Sequence, residues 1–200
     1  MKADSPAVDK TPGVGRPRDP RIDASILQAT AELLVTMGYS NLTMSAIAKH
    51  AGTTKTALYR RWPSKAELVH EAVFPAAPTA LETPPGDFAA DVTAMIAAAR
   101  DVFTSPVVRA ALPGLVADVA SDSQLNEHVM QRFQGVYEAL RIRLREAVQR
   151  GQAHPGVDPD RLIEVIGGAT MMRLLLHPDD ELDGQWVDQT AAIVINGVLA

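Results

Sequence analysis

The side chains with the most specific chemistry in this chain lie between residues 42 and 65, which have the sequence LTMSAIAKHAGTTKTALYRRWPSK. Thr54, Lys55 and Thr56 stand together at the start of a short predicted helix. A lysine ammonium donates hydrogen bonds to the acceptor atoms of guanine, and the methyl group of a threonine contacts the methyl group of thymine. We therefore predict that these three residues contact base edges in the major groove of DNA.

Basic and hydroxyl side chains around this helix suit the DNA backbone. Tyr59, Arg60 and Lys65 are predicted to donate hydrogen bonds to phosphates, which fix the position of a protein on DNA without reading sequence. The hydroxyl of Thr43, with the free amides of the helix that follows it, is predicted to hold another phosphate. Each residue alone would also suit a plain solvated surface, so the prediction of DNA binding depends on the whole set.

Two short helices joined by a tight turn are predicted to position these side chains. Thr43 is the expected N-cap of helix two, and Leu42 and Ile47 have the spacing of a hydrophobic staple. Gly52 is expected to end helix two, and helix three is expected to begin at residue 53 or 54 and to run to about residue 62. This arrangement is typical of a helix-turn-helix, whose second helix enters the major groove.

Helices with clear start signals flank this motif. Asp19 and Pro20 suit the cap and the first position of helix one, which Gly38 is expected to end. The apolar face of helix one repeats at helical spacing and comprises Ile22, Ile26, Ala29, Leu33 and Met37. Ser64 and Glu67 form a complete capping box that predicts helix four.

Residues 1–18 are rich in proline, glycine and charge and contain few apolar side chains, so we expect a disordered basic arm. Arg16 and Arg18 lie on its Gly15-Arg16-Pro17-Arg18 segment. Arginines on such an extended segment suit a narrow minor groove. An idle solvated tail is the equally weighted alternative.

The overall charge of −5 hides an asymmetry between the two parts of the chain. Residues 1–73 carry 10 basic and 7 acidic side chains, whereas residues 74–200 carry 9 and 17. The basic end therefore coincides with the predicted DNA-binding segment. There is no cysteine, no long apolar run and no secretory signal, so we expect a cytoplasmic protein that makes no membrane contact.

Residues 19–70 resemble the N-terminal domain of the TetR family of bacterial transcription repressors. The matching pieces are Leu42-Thr43, Ile47-Ala48, Ala51-Gly52, Leu58-Tyr59-Arg60 and Trp62-Pro63-Ser64-Lys65. The resemblance implies three N-terminal helices for DNA, a helical ligand-binding and dimerisation domain, and release from the operator by a small molecule. Two positions depart from the pattern. Thr53 stands where an apolar residue is usual, and Ala46 where an acidic or polar residue is frequent, so a different turn packing and a weaker cap are expected.

Prolines between residues 74 and 87 are predicted to separate a DNA-binding domain at 19–74 from a second domain at 75–200. Five helical patterns follow, at about 87–103, 106–120, 122–150, 158–176 and 184–199, with Pro113 expected to kink or split the second of them. The predicted fold class is all-α. It comprises a three-helix DNA-binding domain and a C-terminal helical bundle, with about nine helices and no sheet.

The last two helices are apolar over most of their circumference, which indicates burial on several sides. We predict a homodimer in which these two helices from each chain form a four-helix interface, and hence a pseudo-palindromic operator. The predicted interface residues are Leu162, Ile166, Leu174, Trp186, Ile193 and Ile195. A self-contained bundle is the alternative.

A ligand pocket is predicted among the apolar and aromatic side chains of the C-terminal helices. Its candidate lining is Met95, Phe103, Leu112, Leu115, Val119, Phe133, Tyr137 and Met171, and plain core is the alternative for each residue. Aromatic residues make up only 4% of the chain, which favours an apolar effector over a planar one.

Two functional hypotheses remain open from the sequence. The first is a dimeric repressor that a small-molecule effector releases from a palindromic operator. The second is a DNA-binding regulator without such an effector, which a protein partner controls. A cavity of a few hundred cubic ångströms within about residues 95–175 would favour the first. No phosphate loop, nucleophile elbow or H-E-x-x-H pattern occurs, and the histidines lack metal-ligand spacing, so we predict no enzyme activity, no cofactor and no metal.

Overall fold

The computed structural model describes residues 20–75, 86–177 and 182–198, which form nine α-helices and no strand. The helices are α1 (Pro20–Asn41), α2 (Met44–His50), α3 (Lys55–Tyr59), α4 (Lys65–Val73), α5 (Phe88–Thr104), α6 (Pro106–Ser121), α7 (Ser123–Gln149), α8 (Pro159–Leu176) and α9 (Gly184–Val198). The predicted all-α class is confirmed, and α5 to α9 begin and end within one residue of the predicted positions. The arm with Arg16 and Arg18, and residues 76–85 of the predicted domain boundary, lie outside the described residues.

The predicted end of helix one is a break within a longer helix. Gly38 has φ 74° and ψ 167°, a backbone conformation that glycine adopts most cheaply, and a further turn of α1 then runs to Asn41. The apolar side of α1 packs on α2, α4 and α6. Ile26, Leu34, Ile47 and Leu58 are all fully buried in this core.

The turn between α2 and α3 has the predicted chemistry. The Ala46 amide donates to Thr43 Oγ1 at 3.1 Å, and Gly52 adopts φ 64°. The Thr53 amide donates to the Ala48 carbonyl at 2.9 Å, which closes the hydrogen-bond pattern of a glycine-terminated helix. The orientation of α3 relative to α2 is therefore set by local hydrogen bonds as well as by the core.

Helix α3 is shorter than predicted, because it ends at Tyr59 instead of near Trp62. The Arg61 amide donates to the Leu58 carbonyl at 2.8 Å, a tight turn that closes the helix. Pro63 also disfavours helical backbone at the residue before it. Ser64 caps α4 as predicted, since the Glu67 amide donates to Ser64 Oγ at 3.1 Å, and the Glu67 carboxylate accepts from the Ser64 hydroxyl at 3.3 Å.

The C-terminal bundle shares one of its helices with the N-terminal core. α6 packs against both α1 and α4 and contributes Val108, Ala111 and Leu115 to that core. α6 is not split at Pro113, since the helix continues through it. An interior proline costs one helical hydrogen bond, which the burial of the flanking side chains offsets. α5, α7, α8 and α9 enclose a second core around Phe88, Ile96 and Leu140.

Among the described helices, none is by itself long and apolar enough to cross a membrane; α5 and α6 meet that test only as a pair, bent by 84°.

Candidate DNA interface and effector cavity

The predicted recognition helix exposes one polar face and buries the other. Leu58 is fully buried, whereas Thr54, Lys55, Thr56 and Arg60 are exposed. Tyr59 is 49% exposed and lies beside this polar set. The structure therefore brings all the α3 residues predicted to contact DNA to the outer surface of the three-helix unit.

The hydroxyl groups at the two helix starts also support the helices themselves. Thr54 Oγ1 accepts the Ala57 amide at 3.2 Å, and Thr43 Oγ1 accepts the Ala46 amide. Both side chains are exposed, and each hydroxyl keeps its own proton for donation to a DNA oxygen. The caps therefore hold these two hydroxyls in fixed positions at the surface.

The side chains of Arg61 and Lys65 make contacts within the protein that the sequence did not indicate. Arg61 pairs with Asp23 of α1 and donates to the Ala57 carbonyl at 3.1 Å, so its guanidinium ties α3 to α1. Lys65 Nζ donates to the Tyr39 carbonyl at 3.1 Å and lies 3.9 Å from the centre of the Tyr39 ring. An ammonium has three donors, so Lys65 retains hydrogen-bonding capacity for a phosphate.

Tyr39 connects the DNA-binding helices to α6. Its hydroxyl donates to Asp118, and its ring occupies the space that a Cβ at Gly114 would need. Burial and the neighbouring Asp118 carboxylate raise the pKa of Tyr39 above its usual range, so the hydroxyl stays protonated as a donor. A residue larger than glycine at position 114 would displace this ring.

A cavity of about 490 Å³ lies between α5, α7 and α8. Five of the eight predicted lining residues face it, namely Met95, Phe103, Phe133, Tyr137 and Met171. Leu112, Leu115 and Val119 do not, because α6 packs against α1 and α4, and Leu115 belongs to that core. The sequence missed Phe74, which follows α4 directly and forms part of the wall.

The wall of the cavity is almost entirely apolar. Its polar side chains are Tyr137 and Glu164, and Glu164 is paired with Arg161. Burial and the nearby carboxylates raise the pKa of Tyr137, which therefore presents a neutral hydroxyl. Gly167 and Gly168 also border this space. The described residues contain no cluster of three or more side chains suited to a metal ion.

Phe74 and Arg132 join the cavity wall to the DNA-binding helices. Arg132 of α7 donates to the Phe74 carbonyl at 2.6 Å and lies 4.0 Å from the Glu71 carboxylate. The same carboxylate accepts Trp62 Nε1 at 2.8 Å, directly after α3. A chain of polar contacts therefore runs from the end of the recognition helix through α4 to α7.

The predicted dimer residues divide between the core and the surface. Leu162, Ile166 and Leu174 are buried within their own chain, so they are not available to a partner, and this part of the prediction is corrected. Ile193 is 77% exposed, and Trp186 and Ile195 are half-buried beside the second core. The exposed apolar side chains of α8, which the sequence did not distinguish from the buried ones, are Val165, Met172, Leu175 and Leu176.

These features define a class of protein: a helix-turn-helix DNA-binding regulator with a C-terminal helical bundle around a cavity. The family described as bacterial regulatory proteins, tetR family, matches residues 26–72, and a tetracyclin repressor-like C-terminal domain matches residues 83–194. The chain belongs to the TetR family. It is a DNA-binding transcriptional regulator and not an enzyme.

Named relatives and solved structures resemble the chain over most of its length. The uncharacterised HTH-type transcriptional regulator Rv1556 of Mycobacterium tuberculosis is 31% identical over 80% of this chain and 82% of its own length. The DNA-binding transcriptional repressor TetR of Mycobacteroides abscessus is 29% identical over 86% and 93%. The crystal structure of the TetR family transcription regulator SCO0332 has a TM-score of 0.66 and 33% identity, and the match covers 90% of this chain and 100% of that chain.

Proposed function

We propose that the protein is a homodimeric repressor that an apolar small molecule releases from a pseudo-palindromic operator. The observation that carries the proposal is the cavity of about 490 Å³, whose wall includes Phe74 at the end of α4. α4 packs on α1, so an occupant of the cavity lies against the element that holds the DNA-binding unit. The repressor from Mycobacteroides abscessus supports this sign of regulation.

The exposed face of α3 supports two kinds of DNA contact, one to base edges and one to phosphates. Thr54, Lys55 and Thr56 are proposed to contact base edges, because they lie at the helix start and no described residue covers them. Tyr59 and Arg60 are proposed to contact phosphates.

Thr43 and Lys65 complete the proposed set of phosphate contacts. Thr43 lies at the N-terminus of α2, and Lys65 at that of α4, where Tyr39 orients it. Because both lie outside α3, they would fix the angle at which the recognition helix enters the groove.

The dimer is proposed to form through the outer faces of α8 and α9. Val165, Met172 and Leu175 are exposed on α8, and Ile193 on α9. The exposed side chains of α8 recur at helical spacing on one face, and monomers rarely expose a large contiguous apolar patch. A second copy of the chain, related by two-fold symmetry, would cover this surface. The exposed side chains of α8 and α9 thus replace the buried Leu162, Ile166 and Leu174 in the proposed interface.

The proposed mechanism is a shift between two arrangements of the dimer that differ in the spacing of the recognition helices. An effector that binds more tightly to the arrangement with poor operator fit lowers the population of the arrangement that binds the operator. Complete switching requires a difference in effector binding of about 5.5 kcal/mol between the two arrangements. The contacts of Phe74 and Glu71 with Arg132 would transmit the change from the cavity to α4. The presence of a cavity favours this hypothesis over control by a protein partner alone.

Footprinting on DNA upstream of the protein's own gene, repeated with candidate apolar metabolites, tests the proposal. A symmetric protected site that a metabolite clears is the expected result. Ala99→Phe would fill the cavity, since Ala99 lines it, and should abolish clearing while the footprint remains. Ala94→Phe is the matched control, because Ala94 is exposed on the same helix away from the cavity. An effector that still clears the Ala99→Phe footprint would contradict the cavity assignment.

A further inference from the structure

His70 is a buried polar side chain with no hydrogen-bond partner among the described residues. It lies on α4 and is 2% exposed, and neither Nδ1 nor Nε2 is paired. Buried polar groups are nearly always hydrogen-bonded, so an unpaired imidazole needs a physical explanation. Core packing does not supply one, because an apolar residue of similar size would fill the same space without the cost of two unpaired nitrogens.

The ring of His70 lies directly behind the wall of the cavity. Its centroid is 5.3 Å from that of Phe74 and 6.2 Å from that of Phe133, and the two phenyl rings are 5.7 Å apart. Both phenylalanines line the cavity, whereas His70 does not. A rotation of either phenyl ring would therefore expose the imidazole to an occupant of the cavity.

The charge state of His70 limits the kind of group it can accept. Burial lowers the pKa of His70 to about 4, and the charges of Arg132 and His128 on α7 act in the same direction. The ring is therefore neutral near pH 7, with one nitrogen as a donor and the other as an acceptor. Arg132 disfavours a cationic ligand here, and the Glu71 carboxylate 4.0 Å from its guanidinium offsets the attraction that Arg132 would offer an anion.

We infer that His70 is the polar contact of the effector site, and that the effector is a neutral amphipathic molecule with an apolar body and a terminal hydroxyl or carbonyl group. The inference rests on the proposed effector cavity and names its ligand class. The apolar body fills the space between α5, α7 and α8, and the polar end passes between Phe74 and Phe133 to His70. Because Phe74 directly follows α4, this entry displaces the end of the helix that carries His70 and packs on α1.

Calorimetric titration with four probes of equal chain length tests the inference. The probes are 1-octanol, 1-fluorooctane, octanoate and octylammonium. Octanol is expected to bind the intact protein up to about tenfold more tightly than fluorooctane, as one neutral hydrogen bond allows, and more tightly than either ion. In His70→Phe this preference should disappear, while fluorooctane binding changes less than about threefold.

Two further variants separate a role in binding from a role in folding. His70→Gln keeps one donor and one acceptor and should retain part of the octanol preference. Tyr137→Phe removes the neutral hydroxyl of the cavity wall and should leave the preference intact. His70→Phe should unfold at the same temperature as the parent protein or a higher one, because it removes two unpaired nitrogens.

The possible results distinguish this inference from the proposed function. A preference for octanol that survives in His70→Phe, or tighter binding of either ion, would overturn the inference and leave the cavity as the effector site. If none of the four probes binds, both the inference and the effector cavity fail.

Discussion

Lys65 Nζ lies 3.9 Å from the centre of the Tyr39 ring and donates to the Tyr39 carbonyl at 3.1 Å. The hydroxyl of the same tyrosine donates to Asp118 of α6. The proposed phosphate contact at the start of α4 is thus fixed to α6 through one side chain of α1. Any movement of α6 would therefore change the position of Lys65 relative to DNA.

Tyr39→Phe should lower the free energy of unfolding by about 1.5–3 kcal/mol, because it removes a hydrogen bond to a carboxylate and leaves Asp118 without that donor. Urea denaturation measures the change. Tyr59→Phe is the matched control, since Tyr59 is exposed on α3, and should alter stability by less than about 0.5 kcal/mol. Equal effects of the two variants would contradict the role of Tyr39.

Lys55→Ala and Arg60→Ala should weaken DNA binding in different ways. Loss of Lys55 should reduce discrimination at one base pair by about 1–3 kcal/mol, because it removes a contact to a base edge. Loss of Arg60 should weaken binding to all sequences alike and reduce the slope of log K against log salt by about 0.9, because it removes one phosphate contact. Fluorescence anisotropy with operator and random duplexes at several salt concentrations distinguishes the two. An Arg60→Ala loss confined to the operator would refute its phosphate role.

Ile193→Asp should convert the proposed dimer to monomers, because it places a charge within the proposed apolar interface. Light scattering gives the mass in solution. Ile142→Asp serves as the control, since Ile142 is 44% exposed on α7 and is not one of the proposed interface residues, and this variant should keep the mass of the parent. An Ile193→Asp dimer as stable as the parent would show that α9 does not lie at the interface.

His70 should make the protein less stable in acid. Its pKa is about 4 in the folded state and near 6.5 in the unfolded state, so the unfolded chain binds the proton first as the pH falls. This proton uptake lowers the free energy of unfolding by on the order of 3 kcal/mol as the pH falls from about 6.5 to 4, and it has no effect above that range. Chemical denaturation at pH 7.5 and 4.5 should therefore show a smaller decrease for His70→Phe than for the parent.

His177→Phe is the control for this experiment, because His177 is exposed at the end of α8. It should decrease in stability with acid as much as the parent does. The carboxylates contribute the same pH dependence to all three proteins, so the comparison isolates His70. Equal slopes for the parent and His70→Phe would contradict the assigned neutral state.

Those parts of the molecule that depend on nearby residues could be predicted from the sequence. Thr43, Gly52 and Ser64 determine where helices begin or end, because their hydrogen bonds join positions only a few residues apart. The outer face of α3 also followed from the sequence, since Leu58 must be buried and the polar residues around it must then be exposed. The sequence predicted too long a helix α3, because a tight turn and Pro63 end the helix before the apolar pattern ends.

In the C-terminal half, tertiary structure determines whether each apolar side chain is buried in the core, lines the cavity or is exposed. Leu162, Val165 and Ile166 stand on one helix with similar hydropathy, yet Val165 is exposed and the other two are buried. Hydropathy alone does not distinguish core, cavity wall and outer surface, because all three accept apolar residues. For the same reason the sequence placed Leu115 in the pocket, although α6 directs it towards α1.

Most helix boundaries, the caps and the polar face of the recognition helix could be predicted from the sequence, because short-range hydrogen bonding and helical periodicity specify them. The tertiary structure alone decided that Lys65 is bound by Tyr39, that Arg61 pairs with Asp23, and that His70 lies unpaired behind the cavity wall. These contacts join positions brought together only by the packing of α1, α4, α6 and α7. Side-chain burial and charge pairing depend on that packing, which a local sequence pattern does not specify.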